Sequence, residues 1–150
     1  MTKVLVADDS ALMRRHLREV FASEPGFEVR AVRNGAEVLA ELDTFDPDVI
    51  TLDINMPIMD GLTCLARIMV QRPKPVIMVS SLTAEGAEAT LQALSLGAVD
   101  FVLKPDGTIS LSVDRIRAEI LAKVRAACRA RVRRSAGLRT RLESERARIA

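Results

Sequence analysis

The chain contains no tryptophan, no tyrosine and a single histidine, His16. One imidazole in a helical segment, far in sequence from any exposed serine able to act as a nucleophile, argues against serine–histidine chemistry and reads as a helix surface residue. No G-x-S-x-G segment is present to hold a nucleophilic serine on a strand-to-helix turn. The two cysteines, Cys64 and Cys128, lie far apart in helical patterns with neither metal-ligand spacing nor a redox partner, so both are expected as buried thiols. No apolar run approaches the ~20 residues needed to cross a bilayer. Met1-Thr-Lys3 leads straight into a strand, without the layout of a signal peptide. A cytoplasmic protein with no membrane span is the expectation.

What is present suits one soluble domain: 150 residues, 49% of them hydrophobic and 28% charged. The formal net charge of +2 conceals a division. Residues 1–113 carry 10 Lys+Arg against 16 Asp+Glu, a net of −6, whereas residues 114–150 carry 12 against 4, a net of +8.

Strand and helix patterns alternate along the acidic part. Lys3-Val-Leu-Val-Ala is a short apolar run ending on Asp8 and Asp9, after which Ser10 can cap a helix carrying Leu12, Met13, Leu17, Val20 and Phe21 at helical spacing. Pro25-Gly26 stops that helix, and Phe27 to Val32 alternates as a strand. Asn34-Gly35 opens a second helix with Val38, Leu39 and Leu42 on its apolar side. The continuous run Val49-Ile-Thr-Leu52, too short for a helix, has the composition of a parallel strand covered on both faces, and it ends on Asp53. Pro57 and Asp60-Gly61 force a bend before a third helix with Leu62, Leu65, Ile68 and Met69. A fourth strand, Pro75 to Ser80, leads to a helix from about Ala84 to Leu96 with Ala87, Leu91 and Leu94 as its stripe and Gly97 at its end. Asp100 to Leu103 is a fifth strand ending on Lys104-Pro105. Five alternations predict an α/β fold: a doubly wound parallel sheet with helices on both faces and right-handed crossovers.

In such a sheet the strand ends share one edge, where ligands bind. Here they would bring together Asp8, Asp9, Asp53, Ser80 and Lys104. Three carboxylates there would repel and raise one another's pKa unless a cation shared the site, and an all-oxygen donor set suits Mg²⁺. A metal, a hydroxyl and an ammonium around a central carboxylate describe phosphoryl transfer, with Asp53 as nucleophile forming an acyl phosphate.

These residues, with Met56-Pro57-x-x-Asp60-Gly61 and Lys104-Pro105, resemble the receiver domain of two-component response regulators, over residues 1 to about 125. Asp8-Asp-Ser-Ala-Leu-Met-Arg14, Met78-Val-Ser-Ser-Leu-Thr83 and Gly97 to Pro105 are similar, more narrowly, to the regulatory half of chemotaxis protein-glutamate methylesterases. The resemblance implies a flavodoxin-like receiver fold, its five strands ordered 2-1-3-4-5. It implies Asp53 as phosphoacceptor, Asp8 and Asp9 as the pair positioning Mg²⁺, and Asn55 as a ligand through its backbone carbonyl. It further implies Ser80 as switch hydroxyl, Phe101 as switch aromatic, Lys104 as the phosphate-contacting lysine and a histidine kinase as phosphodonor.

Methylesterases of this kind continue into a catalytic domain that does not fit within these residues. The chain is therefore expected to be the regulatory part of such a protein, with phosphoryl acceptance and self-dephosphorylation as its own chemistry. A free-standing receiver is the alternative. A Mg²⁺-dependent haloacid-dehalogenase-like phosphatase is a third reading, but it needs a second Asp two residues after the nucleophile, where this chain has Asn55. Beyond residue 112, Val113, Ile116, Ile120, Val124 and Ala127 keep helical spacing. Arg125, Arg129, Arg131, Arg133 and Arg134 then make the chain strongly basic, and residues 126–150 are expected as a basic helical extension or linker. That segment has no aromatic for base stacking, so no specific nucleic-acid binding is expected.

Overall fold

The computed structural model describes residues 1–81, 84–104 and 115–130. Strands and helices alternate as β1 (Thr2–Ala7), α1 (Ala11–Ala22), β2 (Phe27–Val32), α2 (Gly35–Thr44), β3 (Val49–Asp53), α3 (Gly61–Gln71), β4 (Val76–Ser80), α4 (Ala84–Leu96) and β5 (Asp100–Leu103). A further helix, α5, covers 115–130. The five strands form one parallel sheet in the order β2-β1-β3-β4-β5. The doubly wound architecture and the strand order are those expected.

Because side chains alternate across a strand, the sheet has two cores. Leu5, Ile50, Leu52, Val76 and Met78 point to one face and pack under Val38 and Leu42 of α2, Leu65 and Ile68 of α3, and Ala93 of α4. Val4, Val6, Val49, Ile77, Val79 and Val102 point to the other, beneath Met13, Leu17 and Phe21 of α1 and Ile116, Ile120, Val124 and Ala127 of α5. β3 and β4 are buried at every residue, which is why they read as unbroken apolar runs. Val113 lies outside the described residues, as do Arg131, Arg133 and Arg134.

Three details of the expected packing need correction. Leu12 is 55% exposed, because Met13 and Leu17 set the buried face of α1 and Leu12 falls beside it. On α4, Ala87, Leu91 and Leu94 face outward, and the buried stripe is instead Gly86, Thr90 and Ala93. Residues this small let the helix lie close to the sheet, and the leucines are left on its outer surfaces. Cys64 is buried, its Sγ 3.8 Å from the Gly35 carbonyl, and burial pushes its thiol up to about 12. Cys128 is only half-buried, against the edge of the second core.

Ser10 caps α1 as expected, and the structure adds caps at Asn34 and Asp60. Ser10, Asn34 and Asp60 accept hydrogen bonds from the amides of Met13, Glu37 and Thr63. Gly61 has a stricter role. A Cβ there would lie 2.3 Å from the Asp53 carbonyl oxygen, so only glycine lets α3 begin directly against the end of β3. Gly97, at φ +117°, turns the chain out of α4.

Thr51 is buried in the middle of β3, and its Oγ1 has no hydrogen-bond partner among the described residues. An orphaned hydroxyl in an apolar layer is a net cost. Thr51→Val keeps the shape and removes that cost. Urea denaturation is expected to show an unchanged slope and a gain of about 1 kcal/mol.

Candidate functional site

The strand register brings the predicted strand ends together. Ala7 pairs with Leu52, so Asp8 emerges level with Asp53. Asp53 pairs with Val79 and Ser80 with Leu103, so Ser80 and then Lys104 each lie one step beyond their neighbour. The Lys104 amide also donates to the Ser80 carbonyl at 2.7 Å, fixing the start of the loop that carries the ammonium.

Asp8 and Asp53 are buried and built alike. One oxygen of each is held by a local backbone amide: Asp8 Oδ1 accepts from Ser10 N at 2.9 Å, and Asp53 Oδ1 from Asn55 N at 3.3 Å. The other oxygen faces a shared space. Among the described residues Asp8 Oδ2 and Asp53 Oδ2 receive no well-oriented hydrogen bond, and Lys104 Nζ lies between them at 3.3 and 3.1 Å. Asp9 adds an exposed carboxylate on the solvent side, and one oxygen from each of Asp8, Asp9 and Asp53 falls within 4.8 Å of the others. Two desolvated carboxylate oxygens short of donors, completed by a third carboxylate, fit a hard cation.

The electrostatics follow from this crowding. Burial first, and then the Asp8 charge, push the Asp53 carboxyl up from 3.8 to about 7, against the opposing pull of Lys104. For Lys104, burial pulls the ammonium down, but the Asp8 and Asp53 charges outweigh it and hold the group above the ordinary lysine range.

Asn55 places its backbone against Asp53 and leaves its side chain exposed. Phe101 is half-buried on β5, in register with Met78, at the margin of the first core. Its ring lies under the Lys123 ammonium of α5, 5.1 Å from the centroid, and its carbonyl accepts from the same ammonium. Lys123 also meets Asp100 at 3.5 Å. His16 is half-buried on α1.

Two residues beside the site escape a reading of the sequence. Thr90 Oγ1 lies 3.0 Å from Ser80 Oγ, and Lys123 holds the edge of β5. The signal for Thr90 was a hydroxyl within a stripe of small residues spaced four and three apart. The larger leucines of α4 drew the stripe to the wrong face.

A carboxyl whose folded pKa exceeds its unfolded value binds more protons in the folded state, so stability falls as pH rises from 3.8 toward about 7. Without divalent cations, Asp53→Asn is expected to stabilise the fold by about 1–3 kcal/mol near pH 8. Thermal or urea denaturation should show that gain shrinking steadily on acidification. A gain independent of pH would place the strain elsewhere.

Comparison with known proteins agrees with this geometry. The model of the response regulator receiver domain family matches residues 4–114. The protein-glutamate methylesterase/protein-glutamine glutaminase 3 of Rhodospirillum rubrum is 69% identical over 144 residues, which are 96% of this chain and 39% of that protein. The protein-glutamate methylesterase/protein-glutamine glutaminase 2 of Carboxydothermus hydrogenoformans is 55% identical over 130 residues, 86% of this chain and 37% of its own length. The chain thus spans about two-fifths of these curated relatives. Among solved structures, the response regulator domain of Thermotoga maritima CheB superposes with a TM-score of 0.78 at 45% identity, covering 86% of this chain and 97% of that one. The CheX-CheY-BeF3-Mg+2 complex from Borrelia burgdorferi gives 0.68 at 34% identity, with 83% and 87% covered. The chain is therefore a member of the response regulator receiver domain family, similar to the receivers of protein-glutamate methylesterases.

Proposed function

We propose that the chain is the phosphorylatable receiver of a two-component chemotaxis methylesterase, accepting a phosphoryl group on Asp53 from a histidine kinase. The observation that carries this reading is Asp53 Oδ2: a buried carboxylate oxygen without a well-oriented hydrogen-bond donor among the described residues, facing an ammonium in the space shared with Asp8. In the transfer, this oxygen forms a bond to phosphorus while the P–N bond to the donor's imidazole breaks, and the departing nitrogen takes up a proton. The product is an acyl phosphate. Lys104 moves from carboxylate to phosphoryl oxygen as a charge-assisted donor. Ser80 supplies a hydroxyl to a second oxygen. Asp8, Asp9, Asp53 and the Asn55 carbonyl would hold Mg²⁺, which neutralises the phosphoryl charge when bound. The Borrelia relative, solved with beryllofluoride and Mg²⁺, supports that choice of ion.

Asp53 carries the reaction, with Ser80 and Lys104 as its partners. Water attacking the acyl phosphate returns the carboxylate, so the state is transient. An independent phosphatase fits less well, because Asn55 stands where an acid/base carboxylate is needed and an amide cannot relay a proton. Among the described residues no helix is long and apolar enough to cross a membrane. A cytoplasmic setting, beside a kinase that supplies phosphohistidine, goes with this reading.

The output runs through Ser80 and Phe101. A hydroxyl drawn to the phosphate vacates space into which Phe101 can turn, changing the face formed by α4, β5 and α5. A methylesterase domain following this chain would meet that face, with residues 1–125 as the switch and 126–150 as the connecting basic segment.

Incubation with a small acyl-phosphate donor and Mg²⁺ is expected to add one phosphoryl mass to the chain, removed by Asp53→Asn. Peptide mass spectrometry after borohydride trapping checks the position. Undiminished labelling of the variant would overturn the assignment.

A further inference from the structure

Thr90 is the only polar side chain in the buried stripe of α4, between Gly86 and Ala93. Its Oγ1 lies 2.8 Å from the Gly86 carbonyl, one turn back in its own helix, and 3.0 Å from Ser80 Oγ. A hydroxyl has one proton. Thr90 Oγ1 is placed to donate to either neighbour but not to both, and the carbonyl has no proton to give, so for both contacts to be hydrogen bonds at once the Thr90 proton goes to Gly86 and Ser80 donates to Thr90. Thr90 is thus satisfied without Ser80, whereas Ser80, 1% exposed, has its hydroxyl proton taken by Thr90. This is the proton that the phosphoryl group on Asp53 would need.

We infer that Thr90 is a positioning residue for the switch: a latch that accepts the Ser80 hydrogen bond in the resting state and so opposes its transfer to the phosphoryl oxygen. The inference rests on the reading of Ser80 given above and adds the resting partner that the phosphate must displace. The equilibrium between the two arrangements is set by the difference between the two acceptors, and only differential contacts shift it. Thr90 also links the hydroxyl to α4, since the bond that breaks is the one tying the end of β4 to that helix. Release of Ser80 therefore frees a contact on the face that transmits the signal.

The test is a double-mutant cycle on the full 150-residue chain, titrated with beryllofluoride in the presence of Mg²⁺ and followed by the amide shifts of Ser80 and Phe101. Thr90→Val keeps the shape but removes the acceptor, leaving the Ser80 proton unpaired at rest. Its half-saturating beryllofluoride concentration is expected to fall by about five- to tenfold. Thr90→Ser, which retains the oxygen, is expected to match the parent chain. In a Ser80→Ala background, Thr90→Val is expected to change nothing. Thr90→Ala serves the same comparison if the valine variant does not fold. Weaker binding in Ser80→Ala with no strengthening in Thr90→Val would overturn the latch and leave the Ser80 reading intact. Binding and shifts in Ser80→Ala identical to the parent would overturn both. Strengthening by Thr90→Val in both backgrounds would show an effect that does not pass through Ser80, and would also overturn the latch.

Discussion

The confinement of like charge at one edge of a parallel sheet governs the rest of this structure. Parallel strands send their carboxyl ends the same way, so Asp8 and Asp53 emerge side by side, and helices on both faces keep them from water. Neither can be hydrated like a surface carboxylate. Lys104 offsets part of the cost, but its single charge is divided between two partners at 3.3 and 3.1 Å. Asp53 therefore remains raised to about 7. A site of this kind is completed by whatever brings positive charge and additional donors, which is the physical ground of the proposed cation binding and phosphoryl transfer.

Several features hold that edge in place. Gly61 lets α3 start against the Asp53 backbone, where any side chain would displace it. Asp60 caps the same helix, and the Gly61 amide donates to the Ile54 carbonyl at 2.8 Å, fixing the loop that follows Asp53. Away from this fixed centre, the contacts are single polar or edge contacts. Ser80 meets Thr90 through a single hydroxyl bond, and Phe101 sits half-buried beneath Lys123 rather than locked within the core. The proposed phosphorylation switch needs a rigid acceptor beside contacts that can exchange partners, and these two pairs are its candidates.

The sequence revealed the sheet and its chemical edge because both depend on strong local signals. Fully buried strands have to be continuous apolar runs, so Asp53 and Ser80 stand out at the ends of β3 and β4, while Asp8 and Lys104 follow the shorter apolar runs of β1 and β5. Proline, glycine and capping residues marked the turns. The face of α4 was not legible. Its leucines carry the larger hydrophobic signal, yet the helix buries Gly86, Thr90 and Ala93, since close approach to the sheet favours small side chains over apolar ones. Leu12 was misplaced for a related reason: a short amphipathic helix carries more apolar residues than its buried face accommodates. The Ser80–Thr90 and Phe101–Lys123 pairs join residues on different elements, so only tertiary packing discloses them.

The most direct test is a crystal structure of the chain with Mg²⁺ and beryllofluoride. Beryllium is expected on Asp53 Oδ2, with the Lys104 ammonium on one fluorine and the Ser80 hydroxyl on another, and with the Ser80–Thr90 distance grown well beyond the present 3.0 Å. Beryllofluoride bound away from Asp53, with Lys104 still between Asp8 and Asp53, would contradict the assignment of this strand end as the phosphoryl acceptor.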